Sequence, residues 1–594
     1  MWKKRRLSLQ ESGKRTGCRA ILLALTVMVA MNWSAALGQT TDSLMEQGAR
    51  AMAAQNYAAA LSAFEQVLAK DKNHRKALLQ RGIALERLLL SADALQDLDR
   101  YLALEPNDPA ALFSRGNALA DLRRFDDAAK SYTRALETDP KNLKALLNRG
   151  LARVFLKDFT KALADFNTVI QRDPRNSRAY GARGAAYHLQ GDYARAAADQ
   201  KKAVELDPSN TAGQVNLGLA EFRQGNNSSA ISQYDKGIAA APTDPVPYYN
   251  RGVANFVAER YPAAIRDLAQ ADELGLDDPE APYMMAVAYH KQGDLPKTRE
   301  ALERAIHIRG THVRSLLFRA RLAMAARAWK AAVADLDVAV AEDPKNPTAW
   351  KWRGDCYMNL DQNRQALDSY IRHLEIRPTD GEAVEQRGHA QFNLGEYEGA
   401  ISDYNFAIQL NPRSVVAYRR RGDAQLRLKR YPQAIENYNL ALEYDGKDLP
   451  SAVRRAEALE ALGQYAEAAA AYSQALKIDP KQGRIFRRRG NVYFATQKYA
   501  ESIGDYLEAV KVAPDDAVTH LRLGTAYEKT QQVDKAIESF TRAVQVNPNA
   551  AAAYTNRGVL LERQGKKDLA CKDWRIACKL TDNAACQFAA KECP

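Results

Sequence analysis

Four cysteines crowd into residues 570–594, at Cys571, Cys578, Cys586 and Cys593, while the preceding chain carries only Cys18 and Cys356. Sulfur at that density can cross-link, bind zinc or exchange disulfides. Zinc ligands usually fall at C-x2-4-C spacing and redox pairs at C-x-x-C, and neither spacing occurs here. Instead the cysteines form two pairs seven residues apart, two helical turns, so each pair lines one helix face. A helix over roughly Asp568 to Lys579, a turn at TDNAA and a short helix capped by Asp582 or Asn583 form an antiparallel pair. That geometry sets Cys578 opposite Cys586 and Cys571 opposite Cys593. Two nested disulfides follow, the chemistry of an exported chain, each worth about 3 kcal/mol in the chain-entropy account.

Other reactive constellations are missing from the sequence. There is no P-loop, G-x-S-x-G elbow, H-E-x-x-H helix or dinucleotide fingerprint. The eight histidines are scattered; His290, His307 and His312 share one stretch without an accompanying carboxylate set. Cys356, beside Tyr357, reads as a small buried side chain. No catalytic residue, metal or cofactor is therefore assigned, and no enzyme is expected.

At 594 residues, with 46% apolar and 26% charged residues, the chain can bury a large core. Its formal charge of +13 is unevenly placed: Lys3, Lys4, Arg5, Arg6, Lys14, Arg15 and Arg19 face only Glu11 within residues 1–38. The remainder is too weakly basic, and too poor in aromatic-basic platforms, to make nucleic acid the expected partner. After the basic opening come AILLALTVMVAM and the small residues Ala36 and Gly38. Residues 1–38 thus read as a signal peptide. The alternative is an inner-membrane anchor over residues 20–38, the one form in which membrane contact is expected. Both readings place the rest outside the cytoplasm, in a periplasm or comparable space.

The elements that must position these residues repeat. Pro106, Pro140, Pro174, Pro208 and Pro242 are 34 apart, and the same frame meets Pro344, Pro378, Pro412, Pro480, Pro514 and Pro548. Sixteen units run from Thr41 to Ala584, each with Gly or Ala at position 8, and all but two with Ala at position 20, the exceptions being Thr298 and Ser502. Small residues there let two helices cross closely. In the unit from residue 143 to 176, Leu147, Leu151 and Phe155 mark one helix and Leu163, Phe166 and Ile170 another. The following Asp-Pro stops the second helix. Gly310 and Gly446 replace the proline in two units and read as ordinary helix C-terminal glycines, with softer joints as the alternative.

This pattern resembles the tetratricopeptide repeat. The resemblance implies an all-α fold, an α-solenoid of about sixteen helix-turn-helix repeats forming a right-handed superhelix, with the first helix of each unit lining a concave groove. The organisation expected is a signal segment (1–38), the solenoid (39–584) and a disulfide-stapled capping helix (585–594).

Two sets of arginines stand out in the repeat frame. Position 7 is Arg in twelve units, and the eight units with Asp at position 23 are all among them: Arg81 with Asp97, Arg149 with Asp165, Arg183 with Asp199, Arg251 with Asp267, Arg319 with Asp335, Arg387 with Asp403, Arg489 with Asp505, and Arg557 with Asp573. Units with Gln47, Leu217, Met285 or Leu523 at position 7 lack the Asp. A bridge between the two helices of a unit is predicted, suited to the guanidinium fork.

Position 6, which the resemblance places in the groove, holds Arg420, Arg454, Arg488 and Arg522 in four consecutive units, with Arg487 and Lys529 nearby. Such a ladder suits carboxylates or phosphates of an extended acidic partner. Asp423 and Glu457 follow Arg420 and Arg454 by three residues and can neutralise them locally, which leaves Arg488 and Arg522 as the better ligand contacts. Asn117, Asn148 and Arg178 fall on three positions where some members of the family capture a peptide's C-terminal carboxylate, but Phe113 and Ala182 stand where a base is expected. Asn216 and Asn250, with Asn148 and Asn556 also at position 6, resemble asparagines that hold peptide backbone. The expected function is a non-catalytic scaffold of the cell envelope that binds other proteins or extended peptides in the groove. The alternative is an adaptor for polysaccharide assembly or secretion that handles an anionic polymer.

Overall fold

The computed structural model describes residues 40–593; the leader assigned to 1–38 lies outside them. Among the described residues there are thirty-three helices and no strand, from α1 (Thr41–Ala53) to α33 (Asn583–Glu592). Consecutive helices pair in the frame of the sixteen units, α1 with α2 (Tyr57–Lys70) in the first and α31 (Ala551–Arg563) with α32 (Lys567–Lys579) in the last. The chain divides after Ile308 into two compact units. One runs from α1 to α16 (Leu295–Ile308), the other from α17 (Val313–Ala325) to α33.

The fourth repeat shows how the sequence makes each pair. Its first helix, Leu143–Phe155, ends at Leu156; Lys157 then turns the chain at φ 63° and Asp158 caps the second helix, Phe159–Arg172. Asp173, at φ −135° and ψ 84°, leaves the helix and accepts a bond from the Arg175 amide at 3.2 Å, while Asn176 caps the next repeat by accepting from the Ala179 amide at 3.0 Å. Capping side chains thus satisfy backbone donors that the helix cannot. Leu147 and Phe166 are buried as the spacing predicts. Phe155 is half exposed and stacks on Phe125 of the preceding repeat at 4.3 Å between centroids.

Close helix crossing has a specific cause. The glycine at position 8 faces the large side chain at position 24, and a Cβ on Gly218 would fall 2.6 Å from the Tyr234 ring. Ala162 and Ala230, at position 20, are fully buried in the same seam. Gly310 and Gly446 are not helix-terminating glycines of the left-handed kind expected from their place, since neither has positive φ. The second helix before Gly446 ends through an extended Asp445 at φ −137°, so no left-handed residue is needed there. The left-handed residue lies at position 15, between the two helices of each repeat, and in ten of the sixteen it is not glycine.

Candidate functional site

All eight predicted bridges between positions 7 and 23 are present. Arg183 is representative: Nε and Nη2 each donate to the Asp199 carboxylate at 2.7 Å, and Nη1 donates to Asn167 Oδ1 of the preceding repeat at 2.7 Å. The bonds to Asp raise the guanidinium pKa of Arg183, Arg251 and Arg489 above its ordinary value. The reach to position 25 of the preceding repeat was not read from the sequence. It recurs in Arg149 to Thr133, Arg251 to Asp235, Arg489 to Ser473 and Arg557 to Thr541, so each arginine joins three helices.

On the face made by first helices, the arginine ladder is only partly open. Arg454 pairs with Glu457 at 2.9 Å and with Asp423 of the preceding repeat at 3.6 Å. Arg488, expected to lack a partner, instead meets Glu457 at 3.3 Å and Glu460 at 3.4 Å, both from the repeat before it. The local pair expected between Arg420 and Asp423 does not form, because Asp423 turns to the Tyr438 hydroxyl at 2.8 Å and to Arg454. Arg420 stands near Tyr404 and His389; burial first, then this cation, lowers His389 to about 4. Arg487 is taken by Asp516, which also caps the next helix. Arg522 and Lys529 are exposed, and among the described residues Arg522 has no ion pair.

The asparagines divide in the same way. Asn117 donates to Glu86 at 3.1 Å, and its oxygen accepts from the Tyr132 hydroxyl at 2.8 Å and from Asn148 at 2.9 Å. Two of the three residues matching a carboxylate clamp are therefore held by this internal network, while Arg178 is exposed and apart from it. Phe113 packs on Tyr132 at 5.9 Å between centroids. Asn216 and Asn250, in adjacent repeats, are half-buried and make no side-chain hydrogen bond among the described residues.

Glu86, Asp355 and Lys351 belong to this face and were not singled out from the sequence. Lys351 lies 3.2 Å from Glu382, and Asp355 accepts the Tyr370 hydroxyl at 2.7 Å. Burial raises the carboxyl pKa of Glu86, Asp355 and Asp423 above the ordinary range. A sequence signal for part of this existed: Asn117, Asp355, Asp423 and Asn491 at position 9 each accept the hydroxyl of a tyrosine fifteen residues later.

At the other end, Cys571 pairs with Cys593 and Cys578 with Cys586, with Cα separations of 5.5 and 4.6 Å. The capping helix α33 starts at Asn583, two residues before the expected boundary, with Asp582 accepting from the Ala585 amide at 3.0 Å. It covers Trp574, which is 2% exposed and lies 5.3 Å from the Phe588 ring. Cys356 is buried and its thiol pushed up to about 12, mainly by desolvation. Among the described residues no helix is long and apolar enough to cross a membrane.

The sequence pattern of the family described as Tetratricopeptide repeat matches residues 45–109, 79–142, 113–158, 147–211, 201–245, 215–275, 314–381 and 521–578. A second pattern, described as TPR repeat, matches 388–429, 456–496 and 490–531. No curated protein matches the chain in sequence. Similar solved structures include YrrB, described as a TPR protein with an unusual peptide-binding site, at 20% identity and a TM-score of 0.29, covering 32% of this chain and 97% of that one. A tetratricopeptide repeat protein from Parabacteroides merdae gives 18% identity and a TM-score of 0.36, covering 42% and 99% of the two chains. MamA gives 21% identity and a TM-score of 0.26, covering 27% and 94%.

Proposed function

Because the chain belongs to the tetratricopeptide repeat family, we propose that it is a non-catalytic scaffold outside the cytoplasm that holds extended protein segments on its first-helix face. The carrying observation is the pair Asn216 and Asn250. Their amides stand in adjacent repeats with no hydrogen-bond partner among the described residues, whereas Asn117 and Asn148 are consumed by each other, Glu86 and Tyr132. An amide that both donates and accepts suits a peptide main chain of any sequence. The two cysteine pairs support an oxidising compartment.

The test is photocrosslinking of an extended peptide library to the full chain. Crosslinks should map beside Asn216 and Asn250 and fall at least fivefold in the Asn216→Ala, Asn250→Ala variant; unchanged capture would overturn this reading. Compartment is tested on protein from its native host by intact mass after alkylation without reduction. A chain starting near Gln39 with four unalkylated C-terminal cysteines is expected, and a full-length chain with all six thiols alkylated would overturn export.

A second reading keeps the anionic polymer as partner, favoured by exposed Arg522 and Lys529. It requires binding of an acidic polysaccharide that weakens with salt and is lost on Arg522→Gln.

A further inference from the structure

We propose that the cavity between the twelfth and thirteenth repeats is a binding site for an organic carboxylate carried on a short apolar body. Its basis is a break in the arginine rule of the same molecule. Of the twelve position-7 arginines, eight hold an Asp at position 23, and Arg115 and Arg353 find Asp99 and Asp337 of the preceding repeat, each at 2.6 Å. Arg421 and Arg455 alone have no carboxylate among the described residues. Arg421 is received by the amide oxygens of Asn437 and Asn405 at 2.7 and 2.6 Å. Arg455 has Ala471 at position 23, touches only the amides of Asn439 and Gln474, and leaves its buried Nε without any acceptor.

A buried donor without an acceptor is costly, and the side chain that carries it also lines open space. A cavity of about 710 Å³ is lined by Arg455, Lys447, Lys477, Leu442, Ile478 and Glu443, among others. It opens beside Gly446, where the adjoining repeats carry Pro412 and Pro480. Lys447 and Lys477 are exposed at the margin and Arg455 is half-buried, so three cations and one carboxylate surround a volume with apolar sides. Desolvation alone lowers the Arg455 pKa, in keeping with a guanidinium whose counter-charge is missing. A carboxylate there forms charge-assisted contacts with the guanidinium of Arg455 and the ammonium groups of Lys447 and Lys477, while Leu442 and Ile478 receive the apolar body. The site is lined by the second helices of the two repeats together with Ala452 and Arg455 of a first helix, and it shares no residue with the Asn216 and Asn250 face on which the proposed function rests, so either can fail alone.

The test uses the full chain and saturation-transfer NMR with hexanoate, hexanamide and acetyl-Ala-Leu. Hexanoate or the acetylated dipeptide should bind and hexanamide should not; the first identifies a free acid and the second a peptide C-terminus as the better source. Ala471→Asp restores the internal carboxylate found in eight other repeats and should weaken binding at least tenfold without lowering Tm. Arg455→Gln, checked for an unchanged helical spectrum, should do the same. Failure of both carboxylates to bind the native protein, or binding as tight in Ala471→Asp and Arg455→Gln as in the native protein, would overturn the proposal.

Discussion

The same repeats carry two rows of arginine, one inside the seam at position 7 and one on the first-helix face at position 6, and the two rows are neutralised by different rules. In the seam the acceptor for eight of the twelve arginines is Asp, sixteen residues later in the same repeat, and its carboxylate is almost wholly buried, as with Asp165 at 4% exposed. On the face Arg488 finds Glu457 and Glu460 in the repeat before it, and Arg522 has no ion pair among the described residues. Burial makes the difference. A charge taken out of water needs a fixed counter-charge, so Arg and Asp occur together in unit after unit, whereas a charge in water tolerates its absence.

The strongest way to break this contrast is to remove a seam arginine. Arg183→Met leaves Asp199 buried and unpaired and is expected to cost about 3–5 kcal/mol, read by urea unfolding and by hydrogen exchange across residues 177–206. Arg421→Met removes a cation whose hydrogen bonds go to amides and which lies over the Tyr418 ring, and is expected to cost about 1 kcal/mol. Equal losses would mean that the Asp, rather than being obligatory, is incidental to the seam.

A titration sharpens it next. Burial raises the Asp355 carboxyl pKa above its ordinary 3.8, so between 3.8 and the raised value the folded chain binds more protons than the unfolded chain. Stability contributed by this group therefore falls as pH rises through that window. Asp355→Asn should abolish that fall and keep the bond from Tyr370, because Asn117 and Asn491 already accept Tyr132 and Tyr506 at 2.8 Å from the same position. The variant is expected to be more stable than the native chain at neutral pH by up to about 1 kcal/mol and equal to it below 3.8. A loss of stability at neutral pH would instead assign Asp355 a stabilising charge through Lys351.

How much of this the sequence discloses depends on whether partners lie in one repeat. The helices, their close crossing at the small residues of positions 8 and 20, the Arg-Asp bridge and the cysteine pairs all involve residues at a constant offset within a unit or within adjacent helices, and periodicity exposes such offsets. Arg488 with Glu457 is 31 residues apart and Asn148 with Asn117 likewise; those contacts depend on how one repeat stacks on the next, and no pattern inside a unit encodes it. The left-handed position 15 stayed hidden for another reason. Gln55, Leu89, Arg123 and Lys157 all adopt it, and only glycine would have marked it in sequence. Arg455 shows the converse, since the missing Asp at Ala471 is legible but the cavity beside Gly446 is not.

The smallest effects separate the members of the face row from each other. Arg488→Gln removes contacts at 3.3 and 3.4 Å from a side chain that is 36% exposed, so about 0–1 kcal/mol of stability is expected to be lost. That loss should shrink as salt rises from 0.05 to 0.5 M, on the order of the screening expected for a pair in contact with solvent. Arg522→Gln removes no ion pair among the described residues and should leave stability within about 0.5 kcal/mol at any salt concentration. If the two variants behave alike, Glu457 and Glu460 do not hold Arg488 in solution, and it rejoins Arg522 as a cation free to meet a partner. If they differ as expected, Arg454 and Arg488 are taken, and an acidic partner on this face is met by exposed Arg522 and half-buried Arg420, the two members of the ladder with no ion pair among the described residues.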